Sequence, residues 1–93
     1  MIRRAPVRTA PQVKVTFVLG DDEHPGPVSV VGDFNDWTPG THVLRRRTNG
    51  TRSVAVTLDK GHTVRFRYLG QDGHWFDDRD ADGHDHHGGI LHI

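Results

Sequence analysis

The chain has no cysteine, which excludes a disulfide framework and every thiolate metal site. Apolar residues make up only 33% of its 93 residues, so the core can only be thin. A two-layer sheet structure, in which each strand buries alternate side chains, suits that composition. No apolar run approaches the roughly 20 residues needed to cross a bilayer as a helix, and no stretch repeats apolar residues with a period of 3.6, so no helix is expected. The first eleven residues carry Arg3, Arg4 and Arg8 but no apolar stretch of the signal-peptide kind. An excess of one charge is also missing, with 12 basic against 12 acidic residues; nothing reads as a nucleic-acid footprint. No serine or cysteine stands in a nucleophile context, and Gly32 alone is not a phosphate loop. A chain this short has little room for the two facing carboxylates of a glycosidase cleft. The expectation is a single soluble, cytoplasmic domain without catalytic activity, without a membrane segment and without a cofactor.

What is present is a succession of short alternating segments. Residues 1–11, with Pro6 and Pro11, read as a flexible N-terminal arm, and residues 12–93 as one β-sandwich domain. Val13, Val15, Phe17 and Leu19 alternate through a first strand. A polar loop over residues 20–27 leads to a β-branched strand over 28–31. A strand over 42–47 is followed by Asn49-Gly50, the strongest short hairpin signal, so its two flanking strands should pair antiparallel. Beyond it Arg52, Val54, Val56 and Leu58 share one face. In residues 63–69 Val64, Phe66 and Tyr68 share one face, while Arg65, Arg67 and Leu69 share the other. A turn at 70–73 precedes Trp75-Phe76, a polar loop covers 77–89, and residues 90–93 close the sheet. Strands at roughly ten-residue spacing with turn signals between them indicate an all-β sandwich of about seven strands.

The segment from Val28 to Pro39, VSVVGDFNDWTP, organises the rest. Gly32 allows a close approach that a Cβ would forbid, and Asn35 and Asp36 suit a tight turn. The turn should send Phe34 inward to the core and Trp37 outward, since an indole rarely buries completely. A flat aromatic face on a rigid turn at a sheet rim can present itself to the apolar face of a sugar ring. A guanidinium beside it, such as that of Arg67, can bridge two hydroxyls with its fixed fork of donors.

This segment resembles the GdFNxW stretch of carbohydrate-binding module family 48. That family includes the glycogen-binding domain of AMP-activated protein kinase β subunits and the N-terminal early-set domains of isoamylases and branching enzymes. Residues 64–69 followed by Gln71-Asp72-Gly73-His74-Trp75-Phe76-Asp77-Asp78 resemble its second stretch, FRYlvDGxxWxxDP, in the right order. The resemblance covers residues 12–93 and implies an immunoglobulin-like, early-set β-sandwich of antiparallel strands. It also implies that Trp37 and Trp75 are stacking residues and that Arg67 stands where glycogen-binding members carry a lysine. Two departures are visible. The turn before Trp75 is one residue longer, through Gly70-Gln71, and the Thr and Asn before the last strand are replaced by His86-His87-Gly88-Gly89. His86 and His87 are therefore the expected hydroxyl donors.

The resemblance implies a non-catalytic module for an α-glucan such as glycogen, starch or a maltooligosaccharide; unlike most members, this chain is expected to stand alone, with a glucan-metabolising enzyme as a partner in trans. The rival reading is a protein-interaction or regulatory subunit of a glycogen-metabolising or kinase complex that kept the sandwich and lost the sugar site. Exposed tryptophans on one face favour the first, and buried ones with an apolar patch elsewhere favour the second. Two metal-like patterns stand apart from both readings. Asp78, Asp80, Asp82 and Gly83 open like a calcium loop, but its twelfth position is Gly89 instead of a bidentate glutamate. Five of the eight histidines follow residue 73; His84, His86 and His87 could hold a transition metal only weakly. No metal site is expected.

Overall fold

Alternation fixes which side chains turn inward, and the computed structural model, which describes every residue except Glu23, follows it. The loop expected over residues 20–27 is described on either side of Glu23, which itself lies outside the described residues. Nine strands are present among the described residues: β1 (Ile2–Pro6), β2 (Gln12–Gly20), β3 (Ser29–Gly32), β4 (Arg45–Arg46), β5 (Thr51–Asp59), β6 (Thr63–Leu69), β7 (Trp75–Phe76), β8 (Gly83–Asp85) and β9 (Gly88–His92). They form one sheet in the order β1-β2-β5-β4 and a second in the order β3-β6-β9-β8, with β7 also on β6. Every pairing is antiparallel. The all-β sandwich is as expected, with nine strands instead of about seven.

The core lies between the sheets. Val15, Phe17 and Leu19 of β2 meet Val30 of β3, Val64, Phe66 and Tyr68 of β6, and Leu91 of β9. Phe17 is at its centre, with its ring centroid 5.0 Å from that of Phe66 and edge-on to Tyr68 at 6.3 Å. Such offset and edge contacts suit the ring quadrupoles better than face-to-face stacking. Among the described residues no helix is long and apolar enough to cross a membrane.

Three features differ from the sequence expectation. Residues 2–6 are not a free arm but β1, paired along its whole length with β2 from Ile2↔Phe17 to Pro6↔Val13. Ile2 packs on the core, and Pro6 is tolerated because an edge strand can lack a donor at its end. Residues 42–47 are not one strand. Val43 bridges Ser29, Leu44 N–H donates to the Val28 carbonyl at 2.9 Å, and Arg45 then pairs with Ser53 in the other sheet. The segment thus passes from the second sheet to the first, with Leu44 buried at the crossing. Finally, the polar loop expected over 77–89 contains β8, which lies against β9 as a short hairpin. The Asn49-Gly50 hairpin forms as expected, with Gly50 at φ 77° and Arg47 N–H donating to the Thr51 carbonyl at 2.7 Å.

Arg52 occupies an inward position of β5 and is buried. Its guanidinium donates to the carbonyls of Gly26 at 2.6 Å and His24 at 2.8 Å. A buried cation is tolerated when carbonyl acceptors surround it, and here it ties the 24–26 loop to the sheet.

Candidate functional site

The site begins where β3 ends. Gly32 has extended backbone (φ −168°), so its requirement is for space. A Cβ there would lie 2.5 Å from the Arg65 carbonyl oxygen and 3.0 Å from Phe66 Cβ. A single 3₁₀ turn, Asp33–Asn35, follows. Asn35 locks it by accepting from Gly32 N–H at 3.0 Å and donating to the Val30 carbonyl at 3.0 Å. Phe34 turns inward, stacked 5.9 Å from Phe17.

Asp36 and Trp37 then take left-handed backbone, at φ 53° and 55°. That conformation is tolerated by Asp but costs a residue with a bulky Cβ substituent roughly 1–2 kcal/mol. Two contacts hold Trp37 in it. Its backbone N–H donates to the Gly32 carbonyl at 3.0 Å, and its indole Nε1–H donates to Asp33 Oδ1 at 2.9 Å. The second oxygen of Asp33 accepts the backbone N–H of Arg65 at 2.8 Å. One carboxylate therefore ties the indole directly to the backbone of β6, and the ring remains 36% exposed.

A surface cavity of 650 Å³ lies beside this ring, lined by Asp33, Trp37, Arg65, Arg67, His86 and His87. Arg65 Nε donates to Asp85 Oδ2 at 2.9 Å. That hydrogen bond, more than the charge itself, holds the Asp85 carboxyl below its ordinary value and the Arg65 guanidinium above its own; the His87 backbone N–H adds to the effect on Asp85. Arg67 Nη2 donates to the His86 carbonyl at 3.1 Å. Its Nε lies 3.4 Å from Asp77 in a geometry that makes no hydrogen bond. Gly88, at φ 124°, makes room for this side chain, since a Cβ would come within 2.7 Å of Arg67 Cγ. The His86 and His87 rings, which also line the cavity, have centroids 3.9 Å apart.

Four of the five residues expected from the sequence, Trp37, Arg67, His86 and His87, converge on this cavity. Trp75 does not line it. It sits on β7 opposite Leu69, 45% exposed, and alternation places Leu69 on the same face of β6 as Arg65 and Arg67. Two lining residues lay outside the sequence expectation. Arg65 was legible from its alternation with Arg67, whereas Asp33 had no signal beyond its place in the turn.

The aspartates of the calcium-like run have separate partners. Asp78 is buried and accepts from the Tyr68 hydroxyl at 2.7 Å and from Asp80 N–H at 2.9 Å. Asp82 accepts from Arg4 at 2.8 Å and from His92 N–H at 2.7 Å. His84 Nε2 lies 2.8 Å from the Asp78 carbonyl. Among the described residues no group of three metal-ligating side chains converges.

No protein-family model matches the chain. A 60-residue stretch is 35% identical to the 1,4-alpha-glucan branching enzyme GlgB of Synechococcus sp. (strain CC9605), covering 63% of this chain and 8% of the enzyme. The enzyme of the same name from Synechococcus sp. (strain CC9311) is 33% identical over 60 residues, again 63% of the chain and 8% of the enzyme. That of Thermosynechococcus vestitus is 35% identical over 57 residues, 60% of the chain and 7% of the enzyme. The chain therefore spans about 8% of the length of the curated relatives it matches; it is similar to a short segment of glucan branching enzymes.

Proposed function

We propose that the chain is a non-catalytic module that binds α-glucan on the Trp37 indole. The observation that carries this reading is a half-exposed indole, clamped by Asp33 in an otherwise unfavourable backbone conformation, at the rim of a cavity edged with guanidinium and imidazole donors. Strain of this kind persists only where surrounding contacts over-determine it, and it is concentrated at ligand-contacting sites. Stacking would cover the apolar face of a glucose ring, while Arg67, His86 and His87 would bond its hydroxyls. Trp75, exposed on the same sheet face, would meet the chain further along. The likeness to branching enzymes supports an α-glucan as the polymer, and an enzyme of glucan metabolism would be the protein partner. The non-catalytic part of the reading rests on Asp33, the one carboxylate lining the cavity among the described residues, whose two oxygens both accept N–H groups. Both tryptophans are exposed, which favours this reading over a sandwich that lost its sugar site.

The test is calorimetric titration with maltoheptaose. Trp37→Ala should weaken binding by about 2 kcal/mol, roughly thirtyfold, as truncation of a central aromatic anchor does. Arg67→Ala should cost about 0.5–1.5 kcal/mol, the loss of neutral-acceptor hydrogen bonds at a wet rim. Both variants should stay folded, since neither side chain is in the core cluster. Unchanged affinity in a folded Trp37→Ala protein would contradict the reading.

A further inference from the structure

The formal net charge is zero, yet the outward face of the first sheet carries mostly cations. Alternation and register place Arg3 of β1, Lys14 and Thr16 of β2, and Ser53 and Ala55 of β5 on the outward face of the first sheet. Arg45 lies opposite Ser53, and Arg47 Nε donates to Ser53 Oγ at 2.8 Å, which adds two more cations to that face. Arg3, Lys14, Arg45 and Arg47 are all exposed, and among the described residues none of them is in an ion pair. Among the described residues the one carboxylate on this face, Asp59, stands at its end and accepts from Gln12 at 3.1 Å.

The second sheet treats its arginines differently. Arg65 is bonded to Asp85, and Arg67 faces Asp77. A face adapted only to solvent intersperses the two signs, as that sheet does; a row of unpaired cations repels itself and lowers stability. Between the cations the first sheet places short side chains such as Thr16, Ser53 and Ala55. Neither exposed tryptophan lies on it. Sheets that bind single-stranded nucleic acid do so by stacking bases on aromatic rings, and this face has none to offer. Three of its four cations are arginines, whose planar forks match carboxylates and which are enriched in protein interfaces.

We propose that the outward face of the β1-β2-β5-β4 sheet docks the acidic, Asp/Glu-rich surface of a second protein. This surface is separate from the Trp37 cavity and does not depend on the glucan reading.

The test uses the full chain, ¹⁵N-labelled, with a 20-residue poly-L-glutamate as the probe and a duplex DNA of equal charge as the comparison. At low salt the peptide should shift amide resonances of β1, β2, β4 and β5 and leave those around Trp37 in place, and it should bind at least fivefold tighter than the DNA. Lys14→Glu with Arg45→Glu should weaken peptide binding at least tenfold. Lys60→Glu with Arg79→Glu, the same charge change at exposed positions off this face, should change it less than twofold. Because the shift map is read on the unaltered protein, it decides the matter even if a variant fails to fold. Shifts spread over both sheets, equal losses in the two double variants, or no binding would overturn the proposal. DNA binding as tight as or tighter than the peptide would overturn it in favour of a nucleic-acid surface.

Discussion

Replacing Asp33 should show that the indole is held in place and not merely exposed. Its carboxylate accepts two N–H groups, from the Trp37 indole at 2.9 Å and from the Arg65 backbone at 2.8 Å. Both bonds are at the surface, so water can take over the donors in Asp33→Ala and no buried group is left unpaired. Each bond is then worth the usual net of about 0.5–1.5 kcal/mol, and the pair about 1.5 kcal/mol. For a domain of this length that is a fall in Tm of roughly 6–12 °C. Asp33→Asn keeps only one acceptor oxygen and turns its amide donors towards one of the N–H groups, so it should recover less than half of the loss. With the clamp gone, only the Trp37 N–H bond to the Gly32 carbonyl opposes the left-handed strain, and the ring should leave its place beside the cavity. Maltoheptaose affinity should fall about tenfold in Asp33→Asn. The decisive assay is the double variant. If Asp33 acts through Trp37, adding Asp33→Asn to Trp37→Ala should cause little further loss, because residues that act as a unit are not additive. Fully additive losses would refute the positioning argument, as would an unaltered Tm and indole emission in Asp33→Ala.

Two further predictions concern stability. Tyr68→Phe removes the hydroxyl that donates to buried Asp78 at 2.7 Å, so denaturant unfolding should report a loss of about 1.5–3 kcal/mol, the range for a hydrogen bond to a charged group. Asp85, held below its ordinary 3.8 by Arg65 and the His87 N–H, binds fewer protons folded than unfolded over that interval. Its contribution is therefore complete above about pH 5 and is lost as pH falls through the folded value. The stability gap between the native protein and Asp85→Asn should be constant near neutrality and close in acid; a gap that widens in acid would reverse the assignment.

The parts of the fold legible in the sequence are those set by local periodicity. Alternation placed Val15, Phe17, Val64, Phe66 and Tyr68 inward, and all are buried. The same alternation placed Arg65, Arg67 and Leu69 together on the outer face. Pairing between distant strands has no such signal. Residues 42–46 cross from one sheet to the other because their partners are Ser29 on one side and Ser53 on the other, which no period within the segment encodes. β1 was missed for the same reason, since Pro6 signals a break locally while Ile2 finds the core only through β2. In the site, Trp37 was legible as the outward aromatic of a tight turn. Asp33 was not, because its partner Arg65 stands 32 residues away. The aspartates at 78, 80 and 82 have calcium-loop spacing whatever they bond. Only the structure shows Asp78 turned inward to Tyr68 and Asp82 turned to Arg4.

The central claim is that the clamped Trp37 ring is the glucan platform, and the indole N–H resonances of the two tryptophans test it most directly. In a ¹H–¹⁵N titration with maltoheptaose, the Trp37 indole signal should move progressively and saturate, together with amides of Arg67, His86 and His87. The Trp75 indole should move with it, and cellohexaose should leave all of them in place. A Trp37 indole signal that stays fixed at saturating maltoheptaose, in a protein whose spectrum shows it folded, would contradict the account.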